Sequence, residues 1–267
     1  MERVLKLTVS YDGTAYVGWQ RQAAGVSIQG LLEDALSRLD GAPVVLHGAG
    51  RTDAGVHALG QVASARVANT HEPQVIRRAL NAMLPGDVRV VAVEDAAPDF
   101  HARYSAAGKI YEYRIWQGDV QPPFARAWSW HVPRPLDVEA MDRAVRRLEG
   151  THDYSAFQSA GGGVKSAVRT VACARAEARQ PWTGLAGEPG LDAGASGCLV
   201  VVRLEADGFL RHMVRAIVGT LVEVGERRRV EASMKALLDS RDRAECGATA
   251  PALGLVLVRV MYREGRR

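Results

Sequence analysis

The stretch Gly48-Ala49-Gly50-Arg51-Thr52-Asp53-Ala54-Gly55-Val56-His57-Ala58 gathers a carboxylate, a guanidinium and an imidazole among three glycines. Glycines at 48, 50 and 55 permit unusual backbone angles or the close approach of another chain. In such a turn Asp53 either bonds its own backbone and shapes the loop, or stands as a catalytic carboxylate. Arg51, two residues earlier, is either a surface charge or a phosphate contact. Residue types alone leave both choices open.

Other chemistries lack their residues. No GxSxG or Walker A pattern occurs, and nothing suggests a Ser-His-Asp or Cys-His arrangement. Gly161-Gly162-Gly163-Val164-Lys165-Ser166 has some of the composition of a phosphate loop, but Val164 separates Gly163 from Lys165 and no suitable strand precedes it. It reads as a flexible loop. The Gly50–Gly55 region lacks the G-x-G-x-x-G spacing of a dinucleotide site. The three cysteines form no CxxC pair and the seven histidines no HExxH, so neither a disulfide scaffold nor a metal centre is expected. Lys plus Arg total 34 against 30 for Asp plus Glu, a net charge of +4 that suits an anionic polymer without requiring one. No apolar run has the length of a membrane span, and residues 1–10 alternate without a signal-peptide core. The expectation is a soluble, reduced, cytoplasmic protein.

The elements that must position the loop follow from periodicity. Leu5, Leu7 and Val9 alternate with polar residues as in a half-buried strand. Ser27 suits the N-cap of a helix facing inward through Ile28, Leu31, Leu32, Ala35 and Leu39. Val44–His47 and Gly60–Val67 read as strands on either side of the Asp53 turn. Pro73 opens a second helix with Val75, Ile76, Ala79, Leu80 and Met83 inward, and Val88–Val93 is another strand. The second half begins with a strand carrying Ile110, Tyr111, Tyr113 and Ile115, then a helix marked by Met141, Val145 and Leu148. Strands over Val168–Ala176 and Cys198–Leu204, a helix over Phe209–Val224, a shorter one near Met234–Leu238 and a strand from Leu255 complete it. Gln180–Gly197, rich in Gly, Ala and Pro, reads as a mobile insertion.

The order β-α-β-β-α-β in each half predicts an α+β protein of two split-βαβ, ferredoxin-like units. The units are expected over 1–105, carrying the Asp53 loop, and 106–267, carrying the insertion at about 180–197. They should share a mainly antiparallel sheet, with helices on one side and a catalytic cleft.

The string Gly50–Ala58 resembles the signature of the tRNA pseudouridine synthases of the TruA type. Four companions resemble that family in the same order. They are Tyr11-Asp12-Gly13-Thr14 with Gly18-Trp19-Gln20; Ala79-Leu80-Asn81-Ala82-Met83-Leu84-Pro85; Phe100-His101-Ala102-Arg103 with Tyr111-Glu112-Tyr113-Arg114; and Phe209-Leu210-Arg211-His212-Met213-Val214-Arg215. The likeness runs from about residue 4 to 262.

The resemblance implies an isomerase that converts uridine to pseudouridine at positions 38, 39 and 40 of the tRNA anticodon stem-loop. It assigns the nucleophile to Asp53, base stacking to Tyr111 and electrostatic support of Asp53 to Arg215. Arg51 becomes a substrate contact, either filling the space a turned-out base leaves or bracing the backbone. Strand periodicity puts Tyr111 and Tyr113 on one face and does not choose between them; the resemblance chooses Tyr111. The carboxylate attacks C6 of the base or C1′ of the sugar, or assists elimination. The reaction retains every atom, so no cofactor is expected. The partners implied are tRNA and a second copy of the chain, in a homodimer with no membrane attachment. The alternative is a catalytically silent RNA-binding protein on the same scaffold.

Overall fold

The computed structural model describes residues 2–161, 166–179 and 197–263. Residues 162–165 of the glycine-rich loop and 180–196 of the expected insertion lie outside the described residues. The chain forms two compact units: residues up to Lys109 together with those from Val256 onward, and Ile110–Leu255.

The first unit runs β1 Arg3–Tyr11, α1 Ile28–Asp40, β2 Leu46–Gly48, β3 His57–Val67, α2 Pro73–Met83 and β4 Val88–Ala96, the order expected. β1 lies between β4 and β3, antiparallel to both, and β2 adds antiparallel to β3. The alternation read in β1 is real: Leu5, Leu7 and Val9 are fully buried. Ser27 caps α1, its hydroxyl accepting from the Gly30 amide. The buried stripe of α1 runs through Ile28, Leu32, Ala35 and Leu36, so Leu31 and Leu39 sit at its margin rather than its centre. In α2 only Ile76 and Leu80 are buried, while Val75 and Met83, expected inward, are exposed. One i, i+4 pair suffices because Asn81 ties α2 to β4 by a reciprocal clasp. Its amide donates to the Val90 carbonyl (2.9 Å) and accepts from the Val90 amide (2.8 Å).

Two strand boundaries differ from expectation. β2 spans Leu46–Gly48 rather than Val44–His47, and β3 begins at His57 rather than Gly60. Val44 is instead held off the ladder by Ser37, whose hydroxyl accepts from its amide at 2.9 Å. His57 and Ala58 join β3 because Val256 and Leu257, some two hundred residues later, pair with them in parallel. That partner is invisible to a local reading.

The division between the units falls within β5 Ala106–Gly118, after Lys109. The second unit continues with β6 Trp130–Val132, α3 Val138–Arg146, β7 Gly150–Asp153, β8 Val168–Arg179, β9 Gly197–Ala206, α4 Met213–Gly225 and α5 Ser233–Ser240. Its strands lie in the order β5-β9-β8-β7, with β6 parallel to β5 through Ile115 and Trp130. Met141, Val145 and Leu148 are fully buried, as their spacing requires. β6 and β7 were not expected; strands of three and four residues are too short to show a period, and a neighbour defines them. α4 begins at Met213, not Phe209, because His212 takes the left-handed conformation (φ +61°) and the residues before it form a turn. The strand Leu255–Tyr262 closes the chain. Among the described residues no helix is long and apolar enough to cross a membrane.

Candidate functional site

β2 and β3 pair antiparallel with Gly48 opposite Ala63, and the loop 49–56 links them. The Val56 amide donates to the Asp53 carbonyl at 3.2 Å and closes the turn, with Gly55 at φ +76° supplying the left-handed step. Arg51 and Ala54 are exposed, Asp53 is half-buried, and Thr52 between them is buried. Thr52 is the anchor from which its two charged neighbours project.

Three elements grip that anchor. The Tyr11 and Thr52 hydroxyls share a hydrogen bond of 2.8 Å inside the unit. Tyr11 reaches it because the β1–β3 register shifts between Val9 and Tyr11, and such an irregularity re-aims the side chain. Burial pushes the Tyr11 phenol up to about 12, against the pull of its bonds to Thr52 and Gln61. It therefore keeps its proton across the neutral range. Fully buried Gln61 donates to the Gly50 carbonyl at 2.8 Å. The Trp19 amide donates to the Thr52 carbonyl at 3.0 Å. Beside it Gly18 adopts φ +105°, and a Cβ there would lie 2.6 Å from the Thr52 carbonyl oxygen, so only glycine fits. The segment Tyr11–Gln20, which holds the family-like strings Tyr11–Thr14 and Gly18–Gln20, thus supports the Asp53 turn. His57 is part of the same support: its Nδ1 accepts from the Gly13 amide at 3.1 Å, and its side chain is buried.

This grip predicts a kinetic signature. In Thr52→Val the hydroxyl is lost, and a buried polar bond of this kind is worth roughly 1 kcal/mol. We expect kcat to fall about fivefold, the factor about 1 kcal/mol represents, with little change in KM. Thr52→Ser, which keeps the hydroxyl, should stay near wild type. Steady-state kinetics of the pair decides, and a valine variant with wild-type kcat would show that the turn holds Asp53 without this bond.

In the second unit the two tyrosines of β5 part company. The Tyr113 hydroxyl donates to the Pro251 carbonyl at 2.7 Å, and its ring covers Gly254. Burial drives its phenol far above the ordinary range, with Arg215 opposing. Tyr113 is a core residue. Tyr111, also buried, meets Phe209 edge to face, ring centres 5.1 Å apart. Arg215, on α4, is half-buried; its Nε donates to the Ala250 carbonyl at 2.7 Å while its own carbonyl accepts from the Ala250 amide at 3.0 Å. That double tie sets the direction of the guanidinium. Of the arginines that charge alone makes candidates for an RNA groove, Arg143 is engaged by Glu231 at 2.8 Å and Arg146 by Asp142 at 2.6 Å.

A family model described as tRNA pseudouridine synthase matches residues 7–105 and 144–263. The tRNA pseudouridine synthase A of Moorella thermoacetica is 44% identical over 264 residues, covering 97% of this chain and 99% of its own length. Those of Methylobacterium sp. (strain 4-46) and Myxococcus xanthus are each 44% identical, over 97% and 98% of this chain and 97% and 92% of their own. With the match spanning both units and including the anchored Asp53 turn, the chain belongs to the tRNA pseudouridine synthase family.

Proposed function

We propose that Asp53 is the catalytic nucleophile of this chain, that Tyr111 and Arg51 contact the target nucleotide, and that Arg215 supports the charge on Asp53. The family's reaction isomerises uridine to pseudouridine in tRNA, so the chain is an isomerase. The N1–C1′ bond breaks, the uracil turns, C1′ joins C5, and the C5 proton is released while N1 regains one. Carbon–nitrogen cleavage at a sugar is work for a carboxylate close to C1′ or C6. The observation that carries the reading is the turn itself: a half-buried carboxylate whose preceding residue is locked by Tyr11, Trp19 and the Gly50–Gln61 bond. A loop built only to reverse the chain has no need of three buried anchors.

A carboxylate enclosed by substrate loses water that stabilises its charge, and a nearby cation restores the balance. Arg215 has that role in our reading, and its tie to Ala250 supports a fixed guanidinium. Tyr111 offers a ring face on which a uracil stacks. The Pro251 carbonyl engages Tyr113, and this supports Tyr111 in the choice between them.

Further readings belong with this one. The substrate is the anticodon stem-loop at positions 38, 39 and 40, bound by a cytoplasmic homodimer in a catalytic cleft. The order β4-β1-β3-β2 supports a split-βαβ, ferredoxin-like first unit. A two-domain organisation over 1–105 and 106–267 is supported by the two compact units, although the last strand returns to the first of them.

Arg51 is exposed, so Arg51→Ala should leave the melting temperature unchanged while lowering kcat/KM about tenfold or more. Unchanged kcat/KM would remove it from the substrate contacts. The primary experiment incubates the purified protein, without cofactor, with an unmodified tRNA transcript and maps pseudouridine by chemical labelling. Product at positions 38–40 supports the assignment; tight binding with no product would make the chain the silent RNA-binding alternative.

A further inference from the structure

Phe100-His101-Ala102-Arg103, one of the segments shared with the family, has no part in the chemistry above, yet the first unit holds it firmly. Ala102 is fully buried: its amide donates to the Ser64 hydroxyl at 3.0 Å and its carbonyl accepts from the Tyr262 hydroxyl at 2.8 Å. Pinned there, the chain turns its neighbours outward. His101 Nδ1 accepts from the amides of Arg103 (3.1 Å) and Tyr104 (3.4 Å), which fixes the imidazole against its own backbone. His101 stacks on His47, ring centres 4.9 Å apart and planes 27° apart. It also meets Tyr104, ring centres 4.4 Å apart and planes tilted by 38°. Three rings from two distant segments form a ladder.

Its outer rung is Tyr104, 78% exposed, with the Arg103 guanidinium carbon 5.8 Å from the ring centre. An exposed tyrosine is ordinarily free to swing. This one is backed by a histidine whose orientation is set by two backbone bonds, so a partner that stacks on it has little ordering left to impose. Its neighbours say what that partner is. Arg103 and Ser105 flank it, both exposed, and the nearest acid in the segment is exposed Asp99. An exposed aromatic ring with a guanidinium over it suits a base with its phosphate better than a protein surface.

We propose that the His47–His101–Tyr104 ladder is a stacking platform for an unpaired nucleotide of the RNA substrate, with Arg103 on the adjoining phosphate. The position fits. His47 lies on β2, which leads directly into the Asp53 turn, and six residues of chain span at most about 20 Å. A strand with one nucleotide at Asp53 thus meets Tyr104 within a few nucleotides. The inference deepens the RNA-modifying reading and rests on it for the nature of the ligand.

The test uses the full-length protein and an unmodified tRNA transcript, with affinity measured across a salt series. Tyr104→Ala should bind roughly tenfold more weakly, with its salt dependence unchanged, because stacking releases no counterions. Tyr104→Phe, which keeps the ring, should bind as the wild type does. Arg103→Gln should flatten the logarithmic salt dependence by about one unit. Wild-type affinity in Tyr104→Ala overturns the platform, as does equal weakening by alanine and phenylalanine. Pseudouridine formation by the wild type, measured in the same preparations with enzyme in excess, is scored separately. Its failure would defeat the catalytic reading and leave the binding comparison intact.

Discussion

Asp53→Ala should form no detectable pseudouridine, a loss of at least about ten-thousandfold, the scale on which an enzyme loses rate with its nucleophile. Binding of tRNA should persist, because affinity for a nucleic acid resides mainly in contacts to phosphates. The fold should persist too. Asp53 contributes its carbonyl to the turn through Val56, and that contact is unchanged by any side chain; the anchoring of the turn belongs to Thr52, Gly50 and Trp19. Asp53→Glu separates presence of a carboxylate from its position. One added methylene shifts the charge by more than an ångström, and a displacement of that size costs about a hundredfold in a positioned reaction. Single-turnover assays on a tRNA transcript, with thermal melts of each variant, read all of these. Turnover by the alanine variant above about one part in a hundred of wild type would remove Asp53 as nucleophile.

Arg215→Leu is expected to lower kcat about a hundredfold or more, the range seen when one preorganised charge or donor is removed from an active site. Its cost to the fold is smaller. The side chain donates to the Ala250 carbonyl, while the return bond from the Ala250 amide uses the backbone of Arg215 and survives substitution. Loss of one such bond corresponds to about 1 kcal/mol, or a few degrees of melting temperature for a protein of this size. Arg215→Lys keeps a positive charge without the guanidinium fork that bonds Ala250, and should recover part of the rate. A leucine variant with near-normal turnover would dissociate Arg215 from the reaction. A leucine variant that unfolds would give it a structural role, and the lysine variant then reports on charge alone.

The elements were legible in the sequence where burial has a period. Leu5, Leu7 and Val9 in β1, Ser27 at the head of α1, Pro73 at the head of α2 and Met141 and Val145 on α3 all sit where spacing puts them. Local reading failed where a distant partner decides. His57 and Ala58 are strand because Val256 and Leu257 lie beside them, and Trp130–Val132 is strand because Ile115–Gln117 does. Val75 and Met83 look like core on a helical wheel, but Asn81 had already tied α2 to β4 and the helix needs no wider apolar face.

The site divides in the same way. By itself the sequence determined the family and nominated the residues: an aspartate in a glycine-bounded turn, an arginine two residues before it, and companion segments in a recognisable order, because residue types and short spacings are local properties. Only the tertiary structure decided which residues hold that turn. Tyr11, Gly18, Trp19 and Gln61 converge on residues 50–52 through a register shift and close backbone approaches that no window of sequence contains. Tyr111 and Tyr113 are alike in periodicity and both are buried, and it is the Pro251 carbonyl, 138 residues beyond Tyr113, that engages one hydroxyl. A hydrogen bond between distant segments depends on where the whole chain has gone, and that is settled by folding.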